Sequence, residues 1–137
     1  MKRTTTLDTE QLHALVPLSA TLGMRLAEAR PDSVRLAMDW RAELCTAAGV
    51  LHGGALMTLA DTAGATCAYL NLRSADERTT TIESKTNLLA AVRGGTVTAT
   101  ATPLNVGSNV VVVETEIRDD DDRLVAKTIQ TQAVLRA

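Results

Sequence analysis

A single carboxylate, Asp61, interrupts the most apolar stretch of the chain, residues 52–70. Burying a lone carboxylate is costly unless it is hydrogen-bonded or borders a wet cavity, so a purely structural helix rarely carries one there. The same stretch opens on His52-Gly53-Gly54. The first backbone amides of a helix have no intrahelical acceptor, and they attract developing negative charge. An amide on an oxygen and a carboxylate acting as base or nucleophile are the parts needed to add water to a carbonyl. The competing reading of Asp61 is a surface residue on the polar edge of an amphipathic helix. His52 has two readings as well, a loop-orienting residue or a general base.

Leu56, Leu59, Ala60, Ala63, Cys67 and Leu70 recur at three- and four-residue steps, which predicts one long helix over 52–70 with a core-facing stripe. Met57, Gly64, Ala65 and Ala68 share the face of Asp61, and all but Met57 are small. That leaves room for a substrate, or for a second helix packed close. Gly53 and Asp61 stand eight positions apart, roughly 12 Å along a helix axis. One reacting carbonyl cannot touch both, so the amide and the carboxylate must come from two copies of the helix. A dimer with antiparallel helices exchanging ends is the expectation.

The elements around this helix form an α+β pattern. Residues 8–16 predict a short helix, capped by Asp8 or Thr9 and ended by Pro17, in which His13 is an ordinary, partly exposed histidine. Residues 22–30 and 33–40 alternate as a hairpin, and 41–51 leads into the long helix. A polar loop over 71–78 precedes strands at about 79–89, 96–106, 110–119 and 124–135. The turns between them are Arg93-Gly94-Gly95, Gly107-Ser108-Asn109 and the acidic run Asp119 to Asp122. That run lacks the alternating ligands and glycine of a calcium loop and is expected to be a solvated hairpin tip.

Composition narrows the function. The 137 residues fit a single domain spanning 1–137, and 45% hydrophobic content suffices for one core. Trp40 and Tyr69 are the sole aromatic residues, so no platform for stacking bases exists. A net charge of −2, with no basic block, gives no footprint for nucleic acid or anionic lipid. Cys45 and Cys67 lack metal-ligand spacing, and they fit the reduced thiols of a cytoplasmic protein without a bound metal. The basic start Met1-Lys2-Arg3 is followed by Thr4-Thr5-Thr6 rather than the apolar segment of a signal peptide. No apolar run reaches membrane-spanning length.

His52-Gly53-Gly54 followed by Leu59-Ala60-Asp61-Thr62-Ala63 resembles the signature of hotdog-fold acyl-CoA thioesterases of the PaaI-like, phenylacetate-degradation type. The resemblance extends through the strand beginning Thr81-Ile82-Glu83, the Arg93-Gly94-Gly95 turn and the last hairpin. It implies a curved antiparallel sheet wrapped round one long helix, hydrolysis of an acyl-CoA, no cofactor beyond the coenzyme A of the substrate, and assembly as a dimer of dimers. Family members commonly carry Asn or Gln six residues before the histidine, where this chain has Thr46, a shorter donor with fewer bonding sites. Thr81 corresponds to a hydroxyl that positions the water or the carboxylate; as a bare residue it is equally a strand former. Gly54, Met57 and Ala65 would line the substrate, and Arg93, Arg78 and Lys85 are the cations offered to the coenzyme A phosphates. A non-catalytic acyl-CoA-binding hotdog protein and a hotdog dehydratase or hydratase are the rival readings.

Overall fold

The computed structural model describes residues 6–137; the basic start of the chain lies outside them. Helix α1 (Thr9–Leu15) is fixed by a reciprocal cap, in which Asp8 accepts from the Gln11 N–H at 2.8 Å and Gln11 accepts from the Asp8 N–H at 3.0 Å. Pro17 ends α1 as expected, yet it also opens a further short helix, α2 (Pro17–Thr21), which the sequence reading did not include. A proline needs no N–H acceptor at the first helical position, so one residue serves both purposes. His13 ties α1 to the start of the sheet by hydrogen-bonding through Nε2 to the carbonyl oxygen of Met24, the residue before the first strand, at 2.7 Å.

Strands β1 (Arg25–Arg30) and β2 (Ser33–Asp39) form the expected hairpin, and α3 (Gly53–Leu70) is the long helix. The remaining strands are β3 (Glu77–Leu88), β4 (Thr96–Val106), β5 (Val110–Arg118) and β6 (Leu124–Arg136). β3 therefore begins inside what the sequence suggested was loop. The sheet order is β1-β2-β4-β5-β6-β3, antiparallel throughout.

All six strands touch α3. Six flat strands at about 4.8 Å spacing span about 24 Å, twice the width of a helix, so the sheet must curve round α3. This is the hotdog arrangement. Val34, Leu36 and Met38 of β2, Val97 and Ala99 of β4, and Val111, Val113 and Ile117 of β5 close on Leu59, Ala60, Ala63 and Cys67. The enclosure buries more of α3 than the apolar stripe predicted: Thr62, Gly64, Thr66 and Ala68 are buried too, while Leu70 is only partly so. Burial also pushes the Cys67 thiol up to about 12, which keeps it protonated and unreactive.

Asp39 joins three strands at one rim of the sheet. Its carboxylate accepts from both Arg25 amines on β1, at 2.8 and 3.0 Å, and from Thr96 Oγ1 on β4 at 2.7 Å. The Arg25 guanidinium foremost, and then the Thr96 hydroxyl, holds the Asp39 carboxyl below its usual range. A folded-state value below the unfolded one stabilises above the ordinary carboxylate pKa, and that stability is lost as pH falls through the depressed value. Both side chains are about half exposed, which limits the effect. Asp39→Asn should cost at most about 1 kcal/mol at neutral pH. Urea denaturation should show the difference from wild type closing as pH drops below about 3.9.

Candidate active site

The loop before α3 makes two short 3-10 turns, Ala42–Leu44 and Ala47–Gly49, the second with positive φ at Ala48 and Gly49. It delivers His52 to the N-cap of α3, where Nδ1 accepts the Gly54 N–H at 2.8 Å. An accepting Nδ1 carries no proton, so the imidazole acts here as a cap. The two glycines are thereby distinguished. The Gly54 amide is occupied, whereas the Gly53 N–H has no acceptor among the described residues. Position 53 is tight, since a Cβ would sit 2.4 Å from Leu88 Cδ1, the end of an exposed side chain that would have to turn away. Gly53 and Thr46 line one cavity of about 370 Å³, and no partner engages the Thr46 hydroxyl among the described residues.

Asp61 lies at the middle of the same helix, partly buried, and borders a different cavity of about 310 Å³. Two side chains address its Oδ1. Gln130 Nε2 donates at 3.2 Å, and Thr81 Oγ1 at 3.4 Å, a long contact beyond the ordinary O–H···O range. Thr81 is itself held by Gln132 Nε2, which donates to its oxygen at 2.6 Å and leaves the hydroxyl hydrogen for Asp61. Both glutamines are fully buried. With Oδ1 engaged, Oδ2 has no partner among the described residues.

Gly64 admits this arrangement. A Cβ there would fall 2.1 Å from Gln130 Oε1, inside the amide. The buried Oε1 lacks a hydrogen bond of its own, so Gln130 is held by packing and by its contact with Asp61. Gln130 and Gln132 were absent from the residues singled out in the sequence. Ala126, Thr128, Gln130 and Gln132 alternate as the inward row of β6, but the opposite row carries Ile129 and Leu135, so residue type alone does not tell which row faces the helix.

The register of β3 against β6 slips between Thr81 and Glu83, leaving Ile82 as an unpaired bulge residue. Thr79 and Thr81 before the bulge face α3, whereas Arg78 and Lys85 occupy the alternating, outward positions. Lys85 donates to Asn87, and neither cation lines either cavity. Arg93 donates to the Ala48 carbonyl at 3.0 Å, which places it by the loop that carries Thr46. Ala65 lines the cavity at Asp61, and Met57 is exposed between the two ends of the helix. At the acidic tip, Asp119 accepts from the Asp121 and Arg123 amides, and Asp120 from the Thr96 amide.

Residues 48–126 match the model of the thioesterase superfamily. The chain belongs to this superfamily and is a thioester hydrolase. A thioesterase from Haemophilus influenzae has the same fold with a TM-score of 0.90 at 30% identity, covering 99% of this chain and 96% of that one. A glutamine-to-alanine variant of a thioesterase from Pseudomonas aeruginosa gives a TM-score of 0.90 at 27% identity, covering 100% of both chains. The 1,4-dihydroxy-2-naphthoyl-CoA hydrolase of Escherichia coli is 33% identical over 64% of this chain and 63% of its own length.

If Gln132 acts on Asp61 only through the Thr81 hydroxyl, Thr81→Val and Gln132→Leu should each lower kcat about five- to tenfold, the value of one hydrogen bond. The double variant should lose no more than the worse single one, because both remove the same contact. Multiplying losses in steady-state assays would contradict the relay.

Proposed function

We propose that the chain hydrolyses acyl-CoA thioesters at sites shared between two copies. The Gly53 amide of one copy holds the thioester oxygen, and Asp61 of the other takes a proton from water through Oδ2. The hydroxide so formed adds to the carbonyl carbon, the C–S bond breaks as the carbonyl reforms, and the thiolate of coenzyme A leaves and takes up, directly or through solvent, the proton that Asp61 gives back. One observation carries this reading: the bare Gly53 N–H and the bare Asp61 Oδ2 lie at separate cavities on one rigid helix, about 12 Å apart along its axis. Antiparallel pairing of two α3 helices brings the amide of each to the carboxylate of the other.

Two surface features support the pairing. β3 is an edge strand of 12 residues, and long open edges invite a partner. Met57, Ile82 and Leu88 are exposed apolar side chains beside the two ends of the site, the kind of surface that an interface covers. Within the site, the free Thr46 hydroxyl takes the place of the amide as a second donor near the thioester oxygen. Arg93, hydrogen-bonded to the Ala48 carbonyl of the loop that carries Thr46, is the cation offered to a phosphate of coenzyme A.

Asp61→Asn should leave fold and assembly intact and reduce turnover by roughly a hundredfold or more, the scale of a lost base. Gly53→Val should be equally inactive, because a β-branched side chain there distorts the amide and blocks close approach of the thioester oxygen. Co-expressed with different tags and purified as the mixed dimer, the two should recover up to about half of wild-type activity, since one site then carries both defects and the other neither. A folded mixed dimer as inactive as its parents would refute the shared site. A further variant tests the donor at position 46: Thr46→Asn should raise kcat/KM several-fold if a longer donor strengthens a hydrogen bond made mainly in the transition state. Unchanged or lower kcat/KM would remove Thr46 from that role.

A further inference from the structure

We propose that the cavity between α1 and α3 is the acyl pocket and that it selects a neutral, unbranched hydrocarbon acyl group of about eight to ten carbons, with α1 setting the length. This rests on the preceding reading, because the acyl group must leave the reacting carbonyl beside Asp61. Leu12 and Leu15 of α1, with Val16, form one wall of the cavity; Asp61, Ala65 and Tyr69 of α3 form the other. Those three α3 residues are spaced four apart, so they make one stripe and the cavity runs along the helix from the carboxylate. Eight residues of helix rise about 12 Å. An extended chain advances about 1.2 Å per bond, as the span of a fully extended backbone implies, so the stripe accommodates roughly nine or ten bonds.

The lining decides the chemistry of the occupant. Among the described residues, Asp61 is the only charged side chain on it. The Thr62 and Thr66 hydroxyls donate to the carbonyls of Thr58 and Thr62, at 2.8 and 2.7 Å, and those hydrogens are unavailable to a ligand. A second carboxylate on the acyl group would be buried close to Asp61 with no cation among the described residues to meet it, which is strongly unfavourable. Methylenes find leucine, valine and alanine. The α1 wall is held in place by its reciprocal cap, by His13 on the Met24 carbonyl, and by the Leu26 amide donating to Thr9 Oγ1 at 2.9 Å. A tethered wall fixes the position of Leu12 and Leu15 against α3.

The test measures both turnover and binding across straight-chain acyl-CoAs from acetyl to hexadecanoyl, with glutaryl-CoA as the charged probe. For the natural protein, kcat/KM should rise to a maximum at octanoyl or decanoyl and decline beyond, with glutaryl-CoA at least tenfold below hexanoyl-CoA. Ala65→Leu should move the maximum to shorter chains by two carbons or more, and Leu15→Ala should extend it. In Asp61→Asn, calorimetric Kd should tighten about two- to fourfold per methylene up to that length and then level off. Chain-length-dependent binding in that variant supports the pocket even where turnover by the natural protein fails, and such a failure overturns the hydrolytic reading alone. A flat binding series, a preference for glutaryl-CoA, or a maximum that neither variant moves overturns the pocket.

Discussion

Enclosing α3 with a single sheet is the constraint on which the other features depend. Six strands reach one helix only by curving, and a tight curve leaves little depth for side chains between sheet and helix. The sequence meets this with small and medium residues: Ala60, Ala63, Gly64 and Ala68 on the helix, and Val97, Ala99, Ala101, Val111 and Val113 on the strands. The near absence of aromatic residues follows from the same geometry, since rings would hold the layers apart. The unenclosed side of α3 is where Met57 is exposed and Asp61 partly so. Every other face of the helix is occupied by packing, so on the proposed reading the chemistry is confined to that side.

A carboxylate at the edge of such a core needs orientation without neutralisation. Gln130 and Thr81 supply neutral donors to one oxygen, and Gln132 braces the threonine from within the sheet. A lysine or arginine in those inward positions would carry a charge into the core, at a desolvation cost that a single partner rarely offsets. Amides need only hydrogen bonds. Gly64 is the matching concession on the helix, for without a Cβ it lets the Gln130 amide lie against the backbone. The orientation of Asp61 is therefore a property of the packed core rather than of a mobile loop.

The sequence made the long elements legible because their periodicities are strong. The three- and four-residue spacing over α3 and the strict alternation of β4 and β5 gave their limits to within a residue or so. α2 escaped notice because Pro17 looks like a stop, and its second role as a first helical residue depends on where the chain turns next. Asp61, Gly53 and Thr81 stood out by chemical type within apolar or patterned surroundings. Gln130 and Gln132 did not, since choosing the inward row of β6 requires a register that only the paired strands define. The capping role of His52 was likewise open in the sequence, where a histidine beside two glycines is compatible with cap and base alike.

Helix α3 and helix α1 differ in how freely their residues can change, and that difference bears on how substrate choice and chemistry are divided. A side chain on α3 meets several strands at once, so a volume change there is felt through a close-packed core. α1 contacts α2 and β1, lies outside the sheet, and exposes Leu15 to solvent. A substitution at Leu15 or Val16 alters the cavity beside Asp61 while leaving the sheet and the carboxylate's donors in place. On the proposed reading, the reacting groups sit on the element that tolerates least change and the length of the acyl pocket on one that tolerates much. Selectivity can then diverge by exchanging α1 side chains, with no adjustment in the core that orients Asp61.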